Sequence, residues 1–177
     1  MIKRTLNLIG LLLLLTKPTL ASIYVEQITE DDFFDVKENI ILAIQGQGLV
    51  IAHHSDVSTM LHRTATDLMQ NAFNTVRNMM PMNITRYKRL TKMTYKHGVV
   101  IEFCSASISA ETTQADPNNI LFCPFSIAIF QLSDEPNQVH VSYLHLSQFA
   151  DAKNTASVQA LTKVENMLAE IVTEALE

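Results

Sequence analysis

Residues 99–132 read VVIEFCSASISAETTQADPNNILFCPFSIAIFQL, from Val99 to Leu132. This stretch holds both cysteines of the chain and its longest apolar run outside the N-terminus. Val99-Val100-Ile101-Glu102-Phe103 is short, apolar and rich in β-branched residues, which favours a strand. Ser105 to Ala115 is small and polar. It suits a loop or one short helix, with Ser107 or Ser109 as caps. Asp116-Pro117-Asn118-Asn119 signals a turn, because proline presets its own φ and asparagine tolerates unusual backbone angles. Pro124 cannot donate a ladder hydrogen bond, so regular pairing is expected only from Phe125 onward. Phe125-Ser126-Ile127-Ala128-Ile129-Phe130 reads as an inner strand.

Cys104 thus ends one strand and Cys123 opens the next. In an antiparallel pair the two thiols share one end of the sheet. In a parallel pair they stand over about 10 Å apart, beyond the reach of a disulfide. The spacing leaves both arrangements open.

The first residues give an address. Met1-Ile2-Lys3-Arg4 is basic, Leu6 to Leu15 is apolar, and Thr19-Leu20-Ala21 is a small-x-small site. The apolar run falls well short of the ~20 residues that span a bilayer. Residues 1–21 therefore read as a cleaved signal peptide and 22–177 as a single mature domain, periplasmic or secreted, from a bacterium. An uncleaved anchor is the other reading, but no stable membrane insertion is expected after cleavage.

Cleavage removes Lys3, Arg4 and Lys17, which takes the formal charge from -5 to -8. An acidic chain without tryptophan offers neither a phosphate-binding surface nor a stacking platform, so nucleic acid is not an expected partner. About 155 residues suffice for one real core. Two cysteines in an exported chain point to one disulfide, worth about 3 kcal/mol in the chain-entropy picture. Two separate buried thiols, or a functional thiol pair, are the alternatives.

The rest of the chain alternates elements. Ile23 to Ile28 is a strand. Thr29 and Asp32 resemble a capping box, and the helix they open carries Phe33, Val36, Ile40, Ala43 and Ile44 on one stripe before Gly46 and Gly48. Leu49 to Ala52 is a strand leading into His53-His54. Ser55 or Asp56 caps a second helix with Val57, Met60, Leu61, Ala65, Leu68, Met69, Ala72, Phe73 and Val76 on its stripe. Pro81 breaks the pattern, and Asn83-Ile84-Thr85 matches a glycosylation sequon that matters only in eukaryotes. Arg86 to Lys96 alternates as a basic, exposed strand. Ser133 to Asn137 is a hairpin-type loop, Val139 to His145 a strand, and Asp151 or Asn154 opens a final helix whose stripe runs from Val158 to Ala175.

Three segments resemble the bacterial family named for domain of unknown function 302. They are Met60-Leu61-His62-Arg63-Thr64-Ala65, Glu102-Phe103-Cys104-Ser105-Ala106, and Ala115-Asp116-Pro117-Asn118-Asn119-Ile120 with Phe122-Cys123-Pro124-Phe125. Glu135-Pro136 and Val139 to Tyr143 fit the hairpin that follows. The resemblance covers about residues 25–146. It implies an α+β fold, a mainly antiparallel sheet with helices packed on one face. It favours the antiparallel arrangement of the cysteines. It makes 150–177 a C-terminal helical extension, and it carries no settled activity.

The chemistry is weighed on that frame. No G-x-S-x-G, H-E-x-x-H or P-loop occurs, and no spacing selects a histidine as base for a thiol, so the enzyme question leans towards no. Thiol-redox or sulfur handling by Cys104 and Cys123 is one alternative. It needs a lowered thiol pKa, which a helix start after Cys104 would favour. Copper or haem binding is another, with His53, His54, His62, Met79, Met80 and Met82 as ligands, although methionines at helical spacing usually pack in cores. The leading reading is a non-catalytic binding or accessory module, assembling as a homo-oligomer because Phe125 to Phe130 is apolar on both faces. His54 and Arg63 are its candidate ligand-binding residues, against a bland Arg63–Asp67 surface pair. Neither the small-molecule ligand nor a cofactor is named by the sequence.

Overall fold

The computed structural model describes residues 22–76 and 94–177, with the side chains of 72–76 left aside. The described elements are β1 (Tyr24–Thr29), α1 (Phe33–Gly46), β2 (Val50–Asp56), α2 (Val57–Val76), β3 (Tyr95–Cys104), α3 (Ala106–Ala115), β4 (Phe125–Leu132), β5 (Val139–Leu144) and α4 (Thr155–Leu176). Two 3-10 turns, Pro117–Phe122 and Leu146–Phe149, complete them. The strands form one sheet in the order β1-β5-β4-β3-β2, with antiparallel pairing throughout.

Period-two alternation divides the sheet into two unlike faces. Val99, Ile101 and Phe103 of β3, Phe125, Ile127 and Ile129 of β4, and Val139, Val141 and Tyr143 of β5 are buried on one of them. α1 and α4 cover this face and pack on each other. α1 buries the expected stripe, Phe33, Val36, Ile40, Ala43 and Ile44. α4 buries Leu161, Val164, Leu168, Ile171 and Val172 among others. Burying one such aliphatic side chain stabilises the fold by about 1.5–3 kcal/mol. The fold is thus α+β with helices on one face of the sheet.

The helix starts follow side-chain chemistry more than propensity. Asp32 caps α1 by accepting from the Phe34 amide at 2.8 Å, while Thr29 bonds Asp31 instead of completing a box. Ser105 caps α3, ahead of both Ser107 and Ser109. Of the two candidates before the final helix, Asn154 is the cap, accepting from the Ser157 amide at 3.1 Å. Gly48 closes α1 at φ +71°, a backbone conformation that glycine adopts without strain.

Two differences from the sequence reading have physical causes. β3 begins at Tyr95, so Lys96 and His97 extend the same strand as Val99; residues 86–93 lie outside the described part. α2 forms where its periodicity places it, yet none of its described side chains is buried, and Met60, Leu61 and Leu68 are exposed. β2 is an edge strand, and α1 and α4 already occupy the core face. The α2 stripe therefore has no core to enter.

Ile127 is fully buried at the centre of the covered face. Ile127→Ala is expected to cost about 2–5 kcal/mol in urea unfolding, whereas Val50→Ala on the edge strand stays within about 0.5 kcal/mol.

Candidate functional site

The sheet separates the residues that the sequence singles out into two ends. Phe103 pairs with Phe125 in the antiparallel β3–β4 ladder. Cys104 and Cys123 lie just past that pair, at the same end. Both are free thiols in this structure, not the expected disulfide; they are near enough to influence each other, and the Cys123 thiol donates to the Ser109 hydroxyl at 3.2 Å. The Cys104 thiol is pushed up from its ordinary value, first by burial, then by neighbouring Cys123 and the Glu102 carboxylate. The start of α3 does not reverse that direction. Among the described residues no group of three His, Cys, Asp or Glu comes together as a metal-ligand set.

His54 lies elsewhere. It pairs with Ile101 across β2–β3, about 10 Å along the strand from the Cys104 level. His53 pairs with Glu102, so the two adjacent imidazoles leave the strand on opposite faces. His62 and Arg63 are exposed on α2, and Arg63 makes no ion pair with Asp67 among the described residues. Met79, Met80 and Met82 lie outside the described residues.

The end of the sheet near His54 carries a groove that the sequence did not announce. The Phe33 and His97 rings stack at 4.9 Å and 24°, and Phe34 meets His97 edge-on at 5.2 Å. Phe33 anchors this group from within the core, while Phe34 is 56% exposed. Two cavities share these three rings. One of about 540 Å³ reaches Glu30, Lys96 and Gln131. The other, about 230 Å³, reaches Lys37, His54 and Asp56. The Lys37 ammonium lies 5.8 Å from the Phe34 ring centre, a cation–π distance. Asp32 and Asp56 line the groove but are engaged as helix caps. The imidazoles of His54 and His97 have no hydrogen-bond partner among the described residues, so they remain available to a ligand.

Two further polar clusters act as struts. Buried His140 stacks on Phe130 at 4.8 Å and meets Glu26 at 3.1 Å and Glu135 at 3.3 Å through its two ring nitrogens. It ties β5 to β1 and to the loop after β4. Glu165 of α4 accepts from the Ser147 amide and hydroxyl and meets the His145 ring at 3.1 Å, which holds the turn after β5. Neither cluster lines either cavity of the groove. Their contacts to Glu26 and Glu165 join residues far apart in sequence, and local spacing carries no signal of such pairings.

Asp56 generates a pH-dependent prediction. Its carboxylate accepts from the Thr59 amide at 2.8 Å, and this bond, followed by that from Ser58, holds its pKa below 3.8. A depressed carboxyl contributes stability above its unfolded pKa and loses it as pH falls through the lower folded value. Asp56→Ala is expected to cost about 1 kcal/mol as a lost cap. Asp56→Asn keeps an acceptor for Thr59, and its thermal unfolding should lack the part of the acid-side decline that Asp56 contributes in the wild type.

Comparison with known proteins places this geometry in a family. A family model for "Domain of unknown function DUF302" matches residues 25–175, which takes in α4 as well as the sheet. The chain is similar to the crystal structure of an uncharacterized conserved DUF302 protein from Bacillus stearothermophilus, with a TM-score of 0.64 and 12% identity, over 88% of this chain and 99% of that one. At that identity the likeness is one of fold. No curated protein matches the chain. With the matched segment spanning every strand of the sheet and both core helices, the chain belongs to the DUF302 family.

Proposed function

We propose that this protein is a non-catalytic binding or accessory module, exported to the periplasm or secreted, with a structural cysteine pair. The observation that carries the reading is the groove around Phe33, Phe34 and His97. It combines an exposed aromatic wall with two imidazoles whose ring nitrogens make no hydrogen bond among the described residues: His97, which lines both the cavity of about 540 Å³ and that of about 230 Å³, and His54, which lines the smaller one beside Asp56. Pockets of this size, with a few convergent polar groups, suit a small molecule. The hydroxyl nearest in kind to a nucleophile, Ser58, lines the cavity of His54 but donates to the capping Asp56 at 2.8 Å, so the arrangement favours holding a ligand. Arg63 lies on α2 and is not among the residues lining either cavity.

Ligand-observed NMR tests the groove with benzoate, benzamidine and indole as probes. At least one is expected to bind, and Phe34→Ala, which removes an exposed ring, should weaken it about fivefold or more, roughly 1 kcal/mol. Absence of binding for all three, or binding indifferent to Phe34→Ala, contradicts the reading.

The cysteines support the same reading by their chemistry. A catalytic thiol has its pKa lowered; Cys104 is shifted the other way by burial and by Cys123. In an oxidising compartment neighbouring thiols are oxidised to a disulfide, and the closed loop from 104 to 123 would constrain the unfolded chain by about 3 kcal/mol. The native exported protein is expected to start at Ser22, to resist alkylation under denaturing non-reducing conditions, and to weigh two hydrogens less than its reduced form. Two alkylations would instead favour the second reading, thiol-redox or sulfur handling by Cys104 and Cys123, which rests on their contact alone. For copper or haem binding, no group of three His, Cys, Asp or Glu comes together among the described residues, and the candidates Met79, Met80 and Met82 lie outside them.

A further inference from the structure

We infer that two copies of this chain associate through the apolar patch built around the 3-10 turn Pro117–Phe122. That turn displays Ile120 at 65% exposure and Leu121 at 80%. The display does not come from a loose loop. Buried Asn119 anchors the turn from beneath, donating to the Thr112 carbonyl and the Ser157 hydroxyl, both at 2.9 Å. Asp116 caps it through the Asn118 amide at 2.9 Å, and Asn154 donates to the Ala115 carbonyl at 2.9 Å. Two large aliphatic side chains are thus held rigidly in water, which a monomer has no reason to do.

The surroundings extend the patch. The Phe122 and Phe149 rings meet at 5.6 Å on one side. On the other, Leu121 and Leu144 line a small crevice of about 60 Å³ with Pro124 and Leu146. Leu144 pairs with Tyr24 across β5–β1, and the Ile23 carbonyl accepts from the His145 amide at 2.9 Å. Ile23, Tyr24, Leu144 and Phe149 are all exposed. With Ile120 and Leu121 they offer on the order of 600 Å² of apolar side-chain surface. That exceeds or matches the largest patch of an ordinary monomer, and it approaches the ~800 Å² per partner of a standard interface. No charged side chain lines the crevice, as suits the centre of a contact.

The patch specifies its occupant. The projecting Leu121 and the crevice beside it share one surface. A twofold axis through that surface brings the leucine of each copy to the crevice of the other, the self-complementarity that an isologous dimer requires. The crevice holds about two water volumes, room for the branched end of an isobutyl group. The patch also runs through Leu144 and Tyr24 towards the sheet face opposite α1 and α4. There the Ser142 hydroxyl is buried without a hydrogen-bond partner among the described residues.

This inference stands apart from the ligand reading, whose groove lies at the other end of the sheet. Sedimentation equilibrium of the exported protein tests it, on wild type, Leu121→Asp, Ile120→Lys and Phe34→Ala. Far-UV circular dichroism and thermal unfolding check that each variant keeps its fold, as substitution of exposed side chains should. A concentration-dependent dimer is expected, weakened about tenfold or more by Leu121→Asp and by Ile120→Lys, as for a central contact residue. Phe34→Ala should leave it unchanged. A wild-type protein that stays monomeric at every concentration overturns the inference. So does a dimer that tolerates both charged substitutions. Either failure leaves the groove untouched, and loss of probe binding at the groove leaves the dimer untouched.

Discussion

The antiparallel pairing of β3 with β4 is the constraint on which the rest depends. Phe103 opposite Phe125 and Ile101 opposite Ile127 send their side chains to the same face and give α1 and α4 a surface to cover. A slip of one residue would exchange that surface for Glu102, Ser126 and Ala128, which cannot hold a core. The same register brings Cys104 and Cys123 to one end of the ladder and leaves His97 at the other, beside α1. Core, thiol pair and groove are therefore three consequences of one alignment.

Only one helical layer is built on this alignment, and that governs the surface. α1 and α4 fill the covered face, so α2, despite its apolar stripe, stays outside the core, in contact with β3 and with Leu61 and Leu68 in solvent. The opposite face keeps small residues at its centre, Ala128 and Ser142 in register. The struts at His140 and Glu165 then tie the outer strand and the following turn to the body without widening the core. Apolar surface is left over on purpose-built, well-anchored segments, and association is the economical way to remove it from water.

Much of the fold is legible in the sequence. The stripes of α1 and α4 match the buried residues because a core helix must repeat at its own period, and Val99 to Phe103 and Phe125 to Phe130 have the β-branched and aromatic content of inner strands. The family follows from the segments around Cys104, Cys123 and Pro124. The groove was not legible. Phe33 reads as a core residue, which it is, and His97 falls between the basic stretch 86–96 and the strand from Val99; only the fold brings the two rings together. His54 was picked out, and it does line a cavity, but Arg63 and the cysteines do not share that cavity. Short motifs report chemistry that is near in sequence, and this site is assembled across the sheet.

The account holds that the cysteine pair is structural and that recognition happens elsewhere. Its most direct test is the pH dependence of alkylation of the fully reduced native protein, followed residue by residue by mass spectrometry. Cys104 is expected to react more slowly than a free cysteine at neutral pH, with its rate rising only at a pH above the ordinary thiol value. Rapid alkylation of Cys104 at neutral pH, with a midpoint below the ordinary value, would mean an activated thiolate and would contradict the account.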